Sequence, residues 1–349
     1  MNIFENKFLQ ICLLPLSYLY QFIVCIRNKF YDWQLFRSYK INCRVICVGN
    51  ITVGGTGKTP VVEYLVRYLQ NTCKLKVAIL SRGYKRQSSG TVIVSDGNNL
   101  LVDSQQAGDE PYLLAKKLKT VPIIVDGDRV RGGNIAVEQF QPDIIILDDG
   151  FQHRRLVRDQ NIVVVNAHAG FGNQRLLPAG PLREPLKALN RAHLLWIHQI
   201  TAAKNWPEIR KQLSTVCSKP MIFSDYEPKY LIEIPAEKTY NLDLLQGQRI
   251  LAFSGIANPS RFKSTLQGLN VDWVHLLAFP DHYQYNLNDL GRIQQLADQI
   301  QAHYVVTTEK DFVRLPSHRI LNLPFFYLEL ELKLVEGEDI IAEMIKFLS

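Results

Sequence analysis

Apolar residues recur along this chain in two alternating patterns. Short apolar runs predict buried strands, and apolar residues spaced three or four apart predict helices between several of them. The strand-like runs are Val45–Val48, Lys76–Leu80, Val121–Val125, Asp143–Leu147, Ile162–Val165 and Leu194–Ile197. Helical spacing is found at Asp109–Leu118 and Arg129–Phe140, among other places. This alternation predicts an α/β fold in which helices flank a parallel sheet.

The alternation breaks after Trp206–Cys217. Residues 225–248 look more irregular and contain Pro228 and Pro235. Strand patterns then return at residues 250–253, 274–279, 304–307 and 325–332, with helical patterns at 259–266, 287–300 and 338–348. We therefore expect a main domain at residues 36–225 and a smaller C-terminal α/β domain at residues 226–349.

The N-terminal stretch Phe8–Ile26 has no charged residue over about 19 positions, which reaches the minimum length of a spanning helix. A cleaved signal peptide is disfavoured, because no small-residue cleavage site follows and the basic residues lie after the apolar run. A spanning helix, an interfacial helix and a helix packed on the protein's own core stay open. We favour an interfacial apolar helix within residues 1–35, with Arg27 and Lys29 near anionic headgroups at the membrane surface.

Composition narrows the choice of partners. The 349 residues carry a net charge of +7, which suits an anionic partner such as a nucleotide or an anionic lipid. Nucleic acid is not expected, since the chain has no long basic run, RNA-binding aromatic signature or zinc finger. The six cysteines are scattered without a CxxC pair, which argues against a disulfide framework or a zinc site.

Residues 52–59, T-V-G-G-T-G-K-T, lie between a predicted strand and a predicted helix. They match a phosphate-binding loop, although the strict pattern has glycine where Thr52 stands. The glycines let backbone N–H groups face phosphate oxygens, Lys58 adds positive charge, and Thr59 offers a hydroxyl to Mg²⁺. A glycine-rich turn without a ligand is the alternative, but the strand–loop–helix order favours ATP. The expected nucleotide contacts are Thr52, Val53, Gly54, Gly55, Thr56, Gly57, Lys58 and Thr59.

Two carboxylates, Asp148 and Asp149, follow the apolar run 144–147 in the string D-D-G-F-Q-H. An acidic residue at the end of such a strand is the usual second Mg²⁺ ligand of a phosphate-binding loop. A solvated turn is the alternative, because Asp-Asp-Gly suits turns. The phosphate loop upstream favours the metal site.

Asp109 and His282 are further candidates. In G-D-E-P, Asp109 either caps the following helix or acts as a general base, and the spacing leaves both open. In F-P-D-H-Y, His282 follows a predicted strand and either supports a base or has a structural role. Basic residues in loops after strands could together hold several phosphates; they are Arg82, Lys85, Arg86, Arg129, Arg131, Arg154, Arg155 and Arg183.

Together these strings resemble the tetraacyldisaccharide 4′-kinase family, the lipid A 4′-kinases of Gram-negative bacteria. The matching strings run from about residue 45 to about residue 312. They are V-G-N-I-T-V-G-G-T-G-K-T-P, S-R-G-Y, G-D-E-P, V-D-G-D-R, L-D-D-G-F-Q-H, L-L-P-A-G-P-L-R-E-P, F-S-G-I-A-N-P, F-P-D-H-Y and T-T-E-K-D. The strings L-D-D-G-F-Q-H and L-P-A-G-P-L-R-E-P are far more specific than the phosphate loop, and Thr52 fits the family pattern.

The resemblance implies transfer of the ATP γ-phosphoryl group to the 4′-hydroxyl of a tetraacylated glucosamine disaccharide 1-phosphate. The reaction would take place at the cytoplasmic face of the inner membrane, with the N-terminal helix resembling the family's membrane-facing segment. The resemblance implies that Asp109 is the base and that His282 assists it. Lys58 and Arg183 would stabilise the charge on the phosphoryl group during transfer, and Arg129 would help to hold phosphate. Thr59 with Asp148 or Asp149 would bind Mg²⁺. If Asp109 and His282 act together, the two domains must close on each other.

Two rival functions stay open from the sequence. A P-loop switch or NTP-driven chaperone is disfavoured by the strings D-D-G and T-E-K-D, which lack the spacings of guanine-specific proteins. A kinase for a soluble acceptor such as a nucleoside is disfavoured, weakly, by the apolar N-terminus.

Overall fold

The computed structural model describes residues 7–201, 206–316 and 321–346. The expected N-terminal segment therefore begins before the described residues, and the expected C-terminal helix extends past them. The helices are α1 (Lys7–Cys12), α2 (Leu14–Asp32), α3 (Lys58–Asn71), α4 (Ser104–Ala107), α5 (Asp109–Lys117), α6 (Arg129–Phe140), α7 (Trp206–Val216), α8 (Pro259–Gln267), α9 (Leu287–Gln299), α10 (Glu309–Phe312) and α11 (Glu338–Lys346).

The strands are β1 (Arg44–Gly49), β2 (Val77–Ser81), β3 (Val92–Asp96), β4 (Pro122–Val125), β5 (Ile144–Asp148), β6 (Gln160–Asn166), β7 (Leu194–His198), β8 (Met221–Glu233), β9 (Thr239–Tyr240), β10 (Arg249–Ser254), β11 (Trp273–Ala278), β12 (Tyr304–Thr308) and β13 (Phe325–Glu336). The chain divides into two units. Unit 1 contains Met1–Asp225 and Leu332–Ser349, and unit 2 contains Tyr226–Glu331. This division differs from the expected one in grouping α11 with the N-terminal part of the chain.

In unit 1 the strand order is β8-β7-β6-β1-β5-β2-β4-β3, and every neighbouring pair is parallel except β3 with β4. The parallel α/β fold predicted from the sequence is confirmed. Val48 of β1 is in register with Asp148 of β5. The loop after β1 and the acidic pair at the end of β5 therefore lie at the same edge of the sheet, where ligands bind in such folds.

Buried side chains cover both faces of this sheet. On one face, α3 contributes Val61, Val62, Leu65, Val66 and Leu69, all fully buried at the spacing of a helix that packs on a sheet. The opposite face has its own cluster, which includes Phe151. Helix α3 is thus anchored along its length, and this fixes the position of its N-terminal end beside the loop.

In unit 2 the strand order is β11-β10-β12-β13, all parallel. The expected irregularity from residue 225 onward is wrong at its start, because β8 continues through it as far as Glu233. Pro228 lies between the residues of β8 that pair with β7 and those that pair with β9.

The N-terminal helices have one packed side and one exposed side. Ser17 of α2 is buried and donates to the Leu176 carbonyl over 2.8 Å, and the Tyr20 hydroxyl donates to the Arg183 carbonyl over 3.0 Å. Leu16, Tyr18, Leu19, Phe22 and Ile23 are each more than half exposed. Among the described residues no helix has the length and apolar character needed to cross a membrane.

Candidate active site

The phosphate-binding loop at residues 52–59 is held against a second loop by main-chain contacts. Val53 N–H donates to the Pro181 carbonyl over 2.8 Å, and Thr52 forms a β-bridge with Leu182. Thr52, the position that departs from the strict pattern, is buried. Position 52 therefore takes part in the main-chain pairing that holds the two loops together.

Two of the loop glycines have conformations that require glycine. Gly54 and Gly57 have φ values of +99° and +87°, in the region that residues with a Cβ rarely adopt. A Cβ at Gly57 would also overlap the ring of His198, whereas a Cβ at Gly54 or Gly55 would meet no protein atom within 4 Å. The open side of the loop at these two residues leaves room for a ligand.

Helix α3 begins at Lys58 directly after Gly57. Its N-terminal N–H groups and the positive end of its dipole make this a site for an anion. The Thr56 hydroxyl accepts a hydrogen bond from Asn50 Nδ2 over 2.9 Å, and Thr59 is buried in the first turn. The loop thus ends at a helix N-terminus, where anions commonly bind.

Asp149 brings two cations together beside this loop. Its Oδ1 lies 3.4 Å from Lys58 Nζ, and Arg183 Nη1 lies 3.1 Å and 3.2 Å from its two carboxylate oxygens. Burial opposes ionisation, but the charges of Lys58 and Arg183 outweigh it and hold the pKa of Asp149 below its ordinary value. The sequence suggested a role for each of these residues, and the structure places all three in contact.

Asp148, the last residue of β5, differs from its neighbour. Its Oδ2 accepts from the Ser81 hydroxyl over 3.0 Å, and its buried Oδ1 accepts no hydrogen bond from any described residue. Burial, with the charges of Glu110 and Asp149, raises its pKa to about 7. A buried carboxylate oxygen that accepts no hydrogen bond from the described residues, within electrostatic reach of Lys58 at the start of α3, fits a hard cation such as Mg²⁺.

No group of three or more histidine, cysteine, aspartate or glutamate side chains that could hold a metal occurs in the described parts of the chain. This finding is compatible with Mg²⁺, which takes few protein ligands and shares its remaining positions between phosphate and water. A hydroxyl from the loop and one carboxylate are sufficient for that arrangement.

Asp109 and Glu110 open helix α5. Gly108, and not Asp109, is the N-cap residue of this helix. Glu110 was missed from the sequence, although it adjoins Asp109 in G-D-E-P, and its charge acts on both Asp148 and Asp149. The start of α5 therefore lies within electrostatic reach of the acidic pair.

Arg129, the first residue of α6, is buried and donates through Nη1 to the Gly127 carbonyl over 2.8 Å. Burial, together with the charge of Arg82, lowers its pKa, and Asp149 and Asp148 act in the opposite direction. Of the predicted basic residues, Arg129 and Arg183 thus lie near the acidic pair. Arg131 and Arg155 instead pair with Asp126 and Asp128, which makes them supports of the loop between β4 and α6.

His282 belongs to unit 2. Its φ is +63°, its N–H donates to the Gly255 carbonyl over 3.0 Å, and its ring Nδ1 lies 3.2 Å from Arg314 Nη2. Its main chain and its ring are therefore both held in place. Asp109, the other residue expected at the proton transfer, belongs to unit 1.

Residues 9–348 match the family model described as tetraacyldisaccharide-1-P 4′-kinase. The chain belongs to this family. It is 41% identical over 343 residues to the tetraacyldisaccharide 4′-kinase of Syntrophus aciditrophicus, covering 95% of this chain and 91% of the relative. It is 38% identical to the enzyme of that name from Aquifex aeolicus, with 91% and 94% covered.

The structure is also similar to that of LpxK from Aquifex aeolicus in complex with ATP. The TM-score is 0.78 and the identity 35%, with 98% of this chain and all of the other covered. The protein is thus an ATP-dependent tetraacyldisaccharide 4′-kinase of lipid A synthesis, and the alternative of a P-loop switch or chaperone is not favoured.

Proposed function

We propose that unit 1 binds the ATP phosphates in the loop at residues 52–59, and that Lys58 and Arg183 stabilise the γ-phosphoryl group during its transfer. The observation that carries this proposal is the convergence of both cations on Asp149, directly beside the N-terminal end of α3. Phosphoryl transfer depends mainly on positioning and on neutralising the charge of three phosphoryl oxygens. Two preorganised cations at a helix N-terminus meet that requirement.

We propose that Asp148 and Thr59 hold Mg²⁺, with Asp149 orienting the two cations. The metal would neutralise charge on the β- and γ-phosphates. In support, the Asp148 carboxylate has one buried oxygen that no described residue contacts by a hydrogen bond, and Thr59 is buried at the start of α3. Arg129, buried near the same acidic pair, would add a further contact to phosphate.

Asp109 is proposed as the base that takes the proton of the 4′-hydroxyl, with His282 in support. In favour of Asp109, it lies in the first turn of α5 beside Glu110, whose charge reaches the acidic pair at the end of β5. The role of His282 stays a prediction from the sequence. An Asp109→Asn variant should keep its affinity for ATP and lose turnover by about 10²–10⁴-fold, as expected for a general base.

We propose that the exposed side of α1 and α2 lies on the membrane that holds the acylated substrate, at the cytoplasmic face. The exposed residues Leu16, Leu19, Phe22 and Ile23 form an apolar surface larger than isolated exposed side chains explain. Basic residues after this segment would favour an anionic surface.

The membrane proposal can be tested by sedimentation of the full chain with vesicles of phosphatidylethanolamine and phosphatidylglycerol. Replacement of Phe22 and Ile23 by serine should reduce binding several-fold. Leu287→Ser, at an exposed leucine of unit 2, is the matched control and should bind as the wild type does. Equal binding by all three proteins would contradict the proposal.

The phosphate site is tested by incubating the protein with Mg·ATP and a tetraacylated disaccharide 1-phosphate in detergent micelles. Mass spectrometry should detect one added phosphate, and fragmentation should locate it on the 4′-oxygen. Lys58→Met should reduce the rate by about 10²–10³-fold, as loss of one stabilising donor does. Arg67→Met, at an exposed cation on the same helix, should retain the wild-type rate. A Lys58→Met enzyme with full activity would refute the assignment of the loop.

A further inference from the structure

Three of the strings named above meet in unit 2 around one glycine. Gly255 donates its N–H to Asp311 Oδ1 over 3.0 Å, and its carbonyl accepts from His282 N–H and from Arg314 Nη1, each over 3.0 Å. A Cβ at this position would lie 2.9 Å from the Pro280 carbonyl oxygen. Glycine is therefore needed where F-S-G-I-A-N-P, F-P-D-H-Y and T-T-E-K-D come together.

Arg314 uses its guanidinium group to connect this glycine to the ring of His282. Its Nη2 lies 3.2 Å from His282 Nδ1, and its side chain is 1% exposed. A guanidinium group can only donate hydrogen bonds, so Nδ1 must be the acceptor. A neutral imidazole with an acceptor at Nδ1 carries its hydrogen on Nε2.

Asp311 in turn fixes the position of the arginine. This fully buried carboxylate lies 3.5 Å from Arg314 Nη1 and accepts from the Tyr285 hydroxyl over 3.0 Å and the Thr308 hydroxyl over 2.6 Å. Buried networks whose members are all bonded hold their groups in one arrangement. Asp311 therefore fixes the guanidinium group of Arg314 in the position from which it contacts the ring of His282.

We propose that Arg314 is a positioning residue that holds His282 in its Nε2–H form, so that His282 acts as a hydrogen-bond donor and not as a proton acceptor. Both ring nitrogens are then assigned, since Nδ1 accepts from Arg314 and Nε2 carries the hydrogen. Proton acceptance falls to Asp109. This inference rests on the proposed function, because it takes His282 to act in phosphoryl transfer.

The tautomer can be measured independently of any kinase activity. Two-dimensional long-range ¹H–¹⁵N spectra of the full-length protein, labelled with ¹⁵N-histidine, distinguish a protonated from an unprotonated ring nitrogen. The resonances of His282 are identified by their absence in a His282→Asn variant. We expect an unprotonated Nδ1 and a protonated Nε2. A protonated Nδ1 at neutral pH would overturn the proposal even if the protein is an active kinase.

Kinetics test the positioning role. Arg314→Met should lower kcat about tenfold or more, which is the usual effect of removing an orienting partner, and should leave the KM for ATP unchanged. Arg314→Lys retains a donor and should recover most of the rate and the wild-type tautomer. Arg292→Met, at an exposed arginine of α9, is the matched control.

The double variant with Arg314→Met and His282→Asn should have a kcat no lower than that of His282→Asn alone, because both changes remove the same function. If the two substitutions instead lower kcat additively in the double variant, the proposal is overturned. If Arg314→Met does not fold, the wild-type spectrum and the Arg314→Lys variant still decide the question. If the Nε2–H form is found but the lipid is not phosphorylated, the proposed function fails and the tautomer assignment stands.

Discussion

The three glycines of the phosphate loop provide a graded test of its geometry. Gly55 has an ordinary backbone conformation and open space where a Cβ would lie, whereas Gly54 has the same open space but a φ of +99°. Gly57 combines a φ of +87° with a Cβ position that overlaps the His198 ring. Replacement by alanine therefore adds no strain at Gly55 and adds backbone strain at Gly54. At Gly57 it adds both backbone strain and overlap with the His198 ring.

The magnitudes follow from these differences. A left-handed conformation costs an L-residue about 1–2 kcal/mol, and forcing an extra carbon into a packed site costs about 1–3 kcal/mol. We expect destabilisation of about 1–2 kcal/mol for Gly54→Ala and of about 2–5 kcal/mol for Gly57→Ala. Gly55→Ala should stay within about 0.5 kcal/mol of the wild type.

The assay is thermal unfolding of the nucleotide-free protein, followed by circular dichroism. At about 2–4 °C per kcal/mol for a unit of roughly 150–250 residues, Gly57→Ala should lower Tm by at least about 4 °C. Nucleotide is left out because a phosphate could contact an added Cβ at Gly54 or Gly55. His198→Ala should rescue part of the Gly57→Ala effect, with a coupling of about 1–3 kcal/mol. Equal effects at Gly54 and Gly57, or an absence of coupling to His198, would refute the reasoning.

Three further predictions concern charge. Arg183→Met should lower kcat by about 10²–10³-fold with a smaller effect on the KM for ATP; an unchanged kcat in a steady-state assay would exclude Arg183 from phosphoryl transfer. Asp148→Asn should raise the Mg²⁺ concentration needed for half-maximal turnover, and an unchanged Mg²⁺ titration would place the metal elsewhere. Burial and the nearby charge of Arg129 lower the pKa of His153 to about 4 in the folded protein. As the pH falls below about 6.5, His153 therefore becomes protonated in the unfolded chain before it does in the folded protein. Stability should therefore fall from about pH 6.5 toward pH 4 more steeply in the wild type than in His153→Gln, as urea unfolding at several pH values would measure.

Local patterns predicted the parts of the site that lie next to regular structure. The loop at residues 52–59 and the pair Asp148–Asp149 both follow apolar runs, and in a parallel sheet such ends share one edge. The sequence could not show that β1 and β5 are neighbours, since strand order depends on long-range pairing. It was therefore able to name Lys58 and Asp149 but unable to place them in contact.

Residues on irregular segments were harder to assign. Arg183 reaches Asp149 across 34 positions, from a segment that no periodicity describes. Pro228 suggested a break where β8 continues, because the sequence alone does not show how a strand pairs around a proline. The contacts of Ser81 with Asp148 and of Arg314 with His282 could not be predicted from the sequence, since they arise only from packing.

The contacts of α2 decide how its function should be tested. This helix donates through Tyr20 to the carbonyl of Arg183, and its Asn28 donates to Glu184 over 2.8 Å. The packed side of α2 therefore supports the main chain of a residue that contacts Asp149. Deletion of residues 1–26 would remove the hydrogen bond of Tyr20 together with the apolar surface, so a loss of turnover would not by itself indicate membrane binding. Substitutions confined to Phe22 and Ile23 leave these hydrogen bonds in place, and only they can separate attachment to the lipid surface from support of the active site.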